Sequence, residues 1–171
     1  MPASYYLEKL DRAKHDRKAF SCGEPDLDRY FREQAVQDLS RRVAVPYVLV
    51  ESASNRVVGY YTLSMRSFDR NTFPPDIAKK FPYRHIPVVL IGRLALNKDY
   101  QGKGWGWRLV ADALSRAAIA SGDVAAYAVV VEAKNESARS FYEHVGFSPL
   151  VDSPLTLYIP IGSIATFELH F

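Results

Sequence analysis

A single domain built on a mixed α/β sheet with helices on both sides is the fold class that this sequence predicts. Three observations carry it. β-branched and aromatic runs lie early and close together, as a hairpin requires; strand-like and helix-like segments alternate in the second half; and no repeat or low-complexity tract interrupts them. The 171 residues suit one domain, 1–171, with a substantial core. No apolar run approaches the roughly 18 residues of a membrane span. The N-terminus carries charge throughout rather than a signal-peptide core. The expectation is a soluble cytoplasmic protein with no membrane partner. Cys22 is the only cysteine, which excludes an intrachain disulfide and a cysteine-built metal site, and it reads as a small buried hydrophobe. No metal is expected. The net charge of +3 permits an acidic partner without identifying one.

In chain order, a short strand is expected around Tyr5–Leu10. EPDLDRYFREQAVQDLSRR (24–42) follows, with Pro25 at a helix start, acids early, Arg41 and Arg42 late, and Leu27, Tyr30, Phe31, Ala35 and Leu39 at helical spacing. PYVLVES (46–52) and RVVGYYTLSM (56–65) read as an antiparallel hairpin, with Gly59 marking a bulge or a close backbone approach. Residues 66–87 gather Arg66, Arg70, Lys79, Lys80, Arg84 and His85 among prolines, so a mostly irregular basic connection is expected, with a short helix around Asp76–Lys80. PVVLIGRLAL then forms a strand, NKDY a polar turn, and RLVADALSRAAIA a helix stopped at Gly122-Asp123. VAAYAVVVEA (124–133) is the next strand. Asn135 opens a short helix that Gly146 closes, LTLYI (155–159) adds a strand, and a further strand or terminal helix is expected near 162–169.

Between the central strand and its helix stands Gln101-Gly102-Lys103-Gly104-Trp105-Gly106. Glycines let backbone approach a ligand, and a helix start leaves N–H groups without internal acceptors, where a phosphate can take them up. Lys103 and Arg108 add positive charge. The sequence lacks the Lys-Ser or Lys-Thr ending of GxxxxGK[ST], and glycines spaced two and two do not match GxGxxG. ATP hydrolysis and hydride transfer both fall.

The turn resembles instead the acyl-coenzyme-A-binding motif [QR]-x-x-G-x-[GA] of the GNAT superfamily of N-acetyltransferases. Asn135 and the element Phe141-Tyr142-Glu143-His144-Val145-Gly146-Phe147 resemble further parts of that superfamily's pattern, in the expected order. Cys22-Gly23 with Leu27-Asp28 and Tyr30, GYYTLS (59–64), LIGRLAL (90–96) and LYIP (157–160) are similar to the acetyltransferase toxins of type II toxin–antitoxin systems. Asn97 departs from that subgroup, which usually has Asp there, and this touches the turn geometry more than the chemistry.

The resemblance implies a GNAT fold, a central mixed, mostly antiparallel twisted sheet flanked by helices, with acetyl-CoA as acyl donor. It places the donor along Leu94, Ala95 and Leu96 and on Gln101, Gly102, Lys103, Gly104, Trp105, Gly106 and Trp107, with the N–H of Leu96 or its neighbour facing the acetyl carbonyl. Tyr142 is then the candidate general acid, its alternative being a ring packed on the sheet. Asn135 either binds the cofactor or caps its helix. No general base belongs to the motif, although His85, Glu132, Asp99 and His144 are available. The implied acceptor is the α-amine of aminoacyl-tRNA, whose acetylation blocks translation. Arg41, Arg42, Arg66, Arg70, Lys79, Lys80, Arg84 and His85 could then form a phosphate-contacting rim. Arg93 is either a buried structural ion pair or part of the acceptor pocket. The implied partners are a ribbon-helix-helix antitoxin and, through it alone, DNA; Trp105 and Trp107, read as exposed, point to a partner or a second subunit, and a homodimer is expected. A small-molecule amine acetyltransferase would instead show a carboxylate-lined cleft, and a non-catalytic binding module would have lost Tyr142 or the glycines.

Overall fold

The structure, a computed structural model, describes residues 3–164. Its strands are β1 (Tyr5–Lys9), β2 (Val45–Glu51), β3 (Arg56–Asp69), β4 (His85–Leu96), β5 (Ala128–Glu132), β6 (Ser148–Leu150) and β7 (Ser153–Pro160). The helices are α1 (Pro25–Glu33), α2 (Ala35–Ser40), α3 (Pro75–Ala78), α4 (Trp105–Ala120), α5 (Glu136–Val145) and α6 (Ile161–Ile164). Strand order is β1-β2-β3-β4-β5-β7-β6, with β4–β5 parallel and β1–β2, β2–β3, β5–β7 and β6–β7 antiparallel. This is the mixed, mostly antiparallel sheet of the expected fold class.

The chain divides into two compact units. The first comprises the described residues up to Ser64 together with Gly92–Ala113. Its core is aromatic: Phe31 stacks on Tyr60 at 4.5 Å and Phe20 meets both edge-on, with Val48, Val50 and Val57 from the hairpin around them. The hairpin register slips between Leu49 and Val50, where Gly59 and Val57 are the successive partners, so a bulge sits beside Gly59. Gly59 is also a close approach, since a Cβ there would meet Leu96 Cδ2 at 3.0 Å and the Ala95 carbonyl at 3.2 Å.

The second unit comprises Met65–Ile91 with the described residues from Leu114 on. Its core sets Phe73 edge-on to Tyr127 and Tyr158, beneath Ile86, Val88, Leu90 and Val130. The apolar strand β5, buried from Ala128 to Val131, pairs with β4 on one side and β7 on the other.

Three expectations are corrected. The helix over 24–42 is two helices, because Gln34, at φ −118°, leaves helical geometry between them. The stretch 66–87 is far less irregular than its prolines suggest: β3 continues to Asp69 and carries Arg66, a 3-10 turn spans Arg70–Thr72, and β4 starts at His85. The strand expected from 124 begins at Ala128. Of the terminal segment expected near 162–169, the short helix Ile161–Ile164 is described and the remainder lies outside the described residues.

Candidate active site

The end of β4 belongs to the first unit. The Arg93 N–H donates to Thr62 Oγ1 at 3.1 Å and the Asn97 N–H to the Val58 carbonyl at 2.9 Å, so these odd-numbered residues direct their backbone toward β3. Strand alternation turns the backbone groups of Leu94 and Leu96 to the opposite edge. In the second unit the parallel ladder of β4 with β5 stops at Ile91 and Val131. β4 therefore runs on through Gly92–Leu96 as a strand end with N–H and C=O groups directed away from β3.

One of those groups is already taken. Gln101 Nε2 donates to the Leu96 carbonyl at 2.9 Å and to the Cys22 carbonyl at 2.8 Å. This glutamine, expected to touch cofactor, ties the glycine-rich turn to the strand it follows and to the loop before α1. Asn97 builds the intervening turn: it is buried, and its Oδ1 accepts the Asp99 N–H at 3.0 Å.

The three glycines divide by role. Gly102 and Gly104 have φ of +75° and +86°, a region that side chains disfavour, and nothing lies within 4 Å of where their Cβ atoms would stand. Gly106 lies inside α4 and needs no special conformation. Two left-handed residues deliver the chain into the first turn of α4, with Lys103 exposed between them. Trp105 is not the exposed ring expected: it packs 4.4 Å from Tyr5, beside Tyr100, whose hydroxyl donates to Glu51 at 2.9 Å. Trp107 is 37% exposed.

Arg93 is exposed, not a buried ion pair, and its guanidinium lies 3.7 Å from the centre of the Tyr30 ring. The Tyr30 hydroxyl donates to Asp38 Oδ2 at 2.7 Å while Gln34 Nε2 donates to Asp38 Oδ1 at 2.9 Å. Burial and the Asp38 hydrogen bond raise the Tyr30 pKa, so the ring stays a neutral platform. The Cys22-Gly23…Asp28 pattern is a local brace, since Asp28 Oδ1 accepts the Cys22 N–H at 2.9 Å and Gly23 takes φ +91°. Burial, then the Asp28 contact, pushes the Cys22 thiol up to about 11, as expected of an inert residue.

In the second unit, α5 is capped as its sequence predicts. Asn135 Oδ1 accepts the Ala138 N–H at 2.9 Å, and Gly146 closes the helix at φ +127°. The cap takes the Asn135 oxygen. Tyr142 is buried, edge-on to Phe141 and Phe147, and no described residue hydrogen-bonds its hydroxyl. Burial alone pushes its pKa up to about 12.

The basic residues are divided between the two units. Arg84 pairs with Asp69 at 3.1 Å and Arg70 donates to the Phe81 carbonyl, so both brace the segment before β4. Arg66, Lys79, Lys80 and His85 are exposed in that unit; Arg41 and Arg42, also exposed, close α2 in the other. Of the possible bases, Asp99 is paired with Arg56 at 3.3 Å, while His85, Glu132 and His144 are exposed. Among the described residues no group of three or more His, Cys, Asp or Glu could hold a metal ion, and no helix is long and apolar enough to cross a membrane.

Residues 8–147 match the acetyltransferase (GNAT) family. A tRNA-acetylating toxin of Mycobacterium tuberculosis is 35% identical over 148 residues, covering 84% of this chain and 85% of the relative. The structure of AtaT complexed with acetyl-methionyl-tRNAfMet superposes with a TM-score of 0.90 at 36% identity, covering 96% of this chain and 99% of that one. A tyrosine-to-phenylalanine mutant of the AtaT toxin, bound to the C-terminus of the antitoxin AtaR and acetyl-CoA, superposes with a TM-score of 0.82 at 32% identity over 96% and 98%. The left-handed glycine turn, the β4 end and the capped tyrosine helix thus stand in a chain that belongs to the GNAT acetyltransferase family and is closely related to the TacT/AtaT-like acetyltransferases of toxin–antitoxin systems.

Proposed function

We propose that the protein is an acetyl-CoA-dependent N-acetyltransferase toxin that acetylates the α-amine of aminoacyl-tRNA and so blocks translation. The observation that carries the reading is the end of β4, with the backbone groups of Leu94 and Leu96 turned away from β3 and a left-handed turn leading into α4. These groups fit acetyl-CoA: an extended amide arm adds to a strand end as another strand would, and pyrophosphate suits a helix start. When bound, acetyl-CoA supplies the acetyl group as a thioester; the amine nitrogen bonds to its carbonyl carbon and the carbon–sulfur bond breaks.

The protein's part is positional and electrostatic. The Leu96 N–H is the donor to the thioester oxygen, where a fixed donor contributes about 3 kcal/mol or more. Leu94 and Ala95 extend that edge, and Gly102, Lys103, Gly104, Trp105, Gly106 and Trp107 flank the phosphates. Gln101 acts by holding the turn. Tyr142 gives its phenolic proton to the leaving thiolate, for which a buried phenol, neutral at all physiological pH, is suited. The amine proton leaves to water, because an ester beside an ammonium lowers its pKa. Arg93, with Arg41 and Arg66, provides positive charge for the RNA, most directly Arg93, which stands on the strand that carries the donor, and exposed Arg84 and His85 add hydrogen-bonding groups. A ribbon-helix-helix antitoxin restrains the toxin and links it to DNA, and the toxin acts as a homodimer.

The test is mass spectrometry of the amino acids released from charged tRNA after incubation with acetyl-CoA. N-acetylated amino acids support the reading. Their absence, with acetylation of polyamines or aminoglycosides instead, replaces it with small-molecule acetyl transfer.

A further inference from the structure

The loop between β1 and α1, with Arg32 of α1, lines an open cavity of about 370 Å³ that none of the chemistry above uses. Five cations line it, Arg12, Lys14, Arg17, Lys18 and Arg32, against one carboxylate, Asp16. The loop is built rather than loose. Buried His15 accepts the Asp11 N–H on Nδ1 at 2.9 Å, which leaves the proton on Nε2, facing Glu8 Oε1 at 2.7 Å. Lys14 Nζ lies 2.8 Å from the same oxygen, so its charge is compensated. Four cations remain.

Arg12, Arg17 and Lys18 have no ion-pair partner among the described residues, and the acid nearest Arg32 is Glu33, at the limiting distance of 4.0 Å. Arg17 Nη1 donates to the Arg32 carbonyl at 3.1 Å, which holds Arg17 against the residue that carries the next guanidinium. Arg17 Nε is buried with no hydrogen-bond partner among the described residues. Gathered like charge and an orphaned charged donor both cost free energy unless an anion meets them. The guanidinium fork matches the oxygens of a phosphate.

We propose that this cavity is a phosphate-binding subsite that holds the backbone of the RNA acceptor. The inference rests on the reading of that acceptor as aminoacyl-tRNA. Arg12, Arg17 and Lys18, without ion-pair partners among the described residues, and Arg32, held only at 4.0 Å by Glu33, outnumber the one carboxylate, Asp16, in this concavity and call for closely spaced negative charges, which a polynucleotide backbone supplies at every residue and a peptide carboxylate does not.

Fluorescence anisotropy with unacylated tRNA as probe tests it, over a series of salt concentrations. The Arg17→Gln/Arg32→Gln variant removes the guanidinium pair. The Arg12→Gln/Lys18→Gln variant removes two surface charges that make no side-chain bond, and so stays informative if the first does not fold. Each is expected to bind tRNA about tenfold more weakly, with a salt dependence shallower by about 1–2 in log–log slope. Unchanged affinity and slope in a folded variant overturn the proposal. A loss seen only in calorimetric binding of pyrophosphate assigns the cavity to small phosphate compounds and also overturns it, as does a loss seen only with an acidic antitoxin peptide. If wild-type protein acetylates charged tRNA while both variants bind tRNA normally, the subsite fails and the proposed function stands. If the variants lose tRNA binding but wild-type protein acetylates nothing on it, the function fails and the subsite stands.

Discussion

The side-chain amide of Gln101 donates to the carbonyl of Leu96 at 2.9 Å and so ties the glycine-rich turn to the strand end. A second bond from the same nitrogen reaches the Cys22 carbonyl. Gln101→Ala removes both and is expected to cost about 1–2 kcal/mol of stability, since each hydrogen bond contributes about 1 kcal/mol net. The KM for acetyl-CoA should rise several-fold with a smaller effect on kcat. Thermal melts and acetyl-CoA titrations check this; an unchanged KM would show that the turn keeps its place without the tie.

Arg93 and Tyr30 form a stacked pair whose planar geometry a lysine cannot reproduce. Arg93→Lys keeps the charge and loses the stack. The expected result is a raised KM for charged tRNA, an unchanged KM for acetyl-CoA, and a similar acceptor defect in Tyr30→Leu. Steady-state kinetics with each substrate varied in turn separates the outcomes.

Burial pushes the Tyr142 pKa up to about 12 from an ordinary value of 10. A general acid works while protonated, so the rate should show no alkaline decline from this group below about pH 10, and a loss only as pH nears 12. The sign for stability is the same. Burial of the neutral phenol stabilises the fold fully below its unfolded pKa, and that contribution disappears as pH rises through the folded one. Tyr142→Phe should lower kcat by about a hundredfold or more without changing acetyl-CoA binding. Unchanged turnover at saturating acceptor would remove the general-acid role.

Two kinds of glycine substitution should behave differently. Gly104→Ala meets no atom within 4 Å, so its cost is conformational, about 1 kcal/mol, and falls on acetyl-CoA affinity. Gly59→Ala meets Leu96 Cδ2 at 3.0 Å and the Ala95 carbonyl at 3.2 Å, with backbone as one of the obstacles. It should lower both stability and kcat by displacing the β4 end. Melting temperature and kcat, measured together, distinguish a strained turn from a pushed strand.

Much of this arrangement is legible in the sequence where local chemistry decides it. The hairpin follows from its β-branched and aromatic runs, the Asn135 cap and Gly146 stop follow from their side chains, and the glycine turn announces itself. What the sequence hides depends on distant partners. Gln101 reads as a ligand contact because nothing local reveals the Leu96 and Cys22 carbonyls waiting for it. Arg93 stays ambiguous until α1 brings Tyr30 beneath it. Arg66 and Ser67 lack strand character, yet β3 carries them on toward Asp69 as exposed positions of a long strand. Trp105 looks like an interface residue only until Tyr5, from the first strand, covers it.

The most direct measurement is transfer of radiolabelled acetyl from acetyl-CoA to purified tRNA, charged and uncharged in parallel. Label is expected in the charged tRNA only, released with the amino acid when the ester is hydrolysed, and lost in Tyr142→Phe. Label on uncharged tRNA, or none on either while free amines are acetylated, would contradict it.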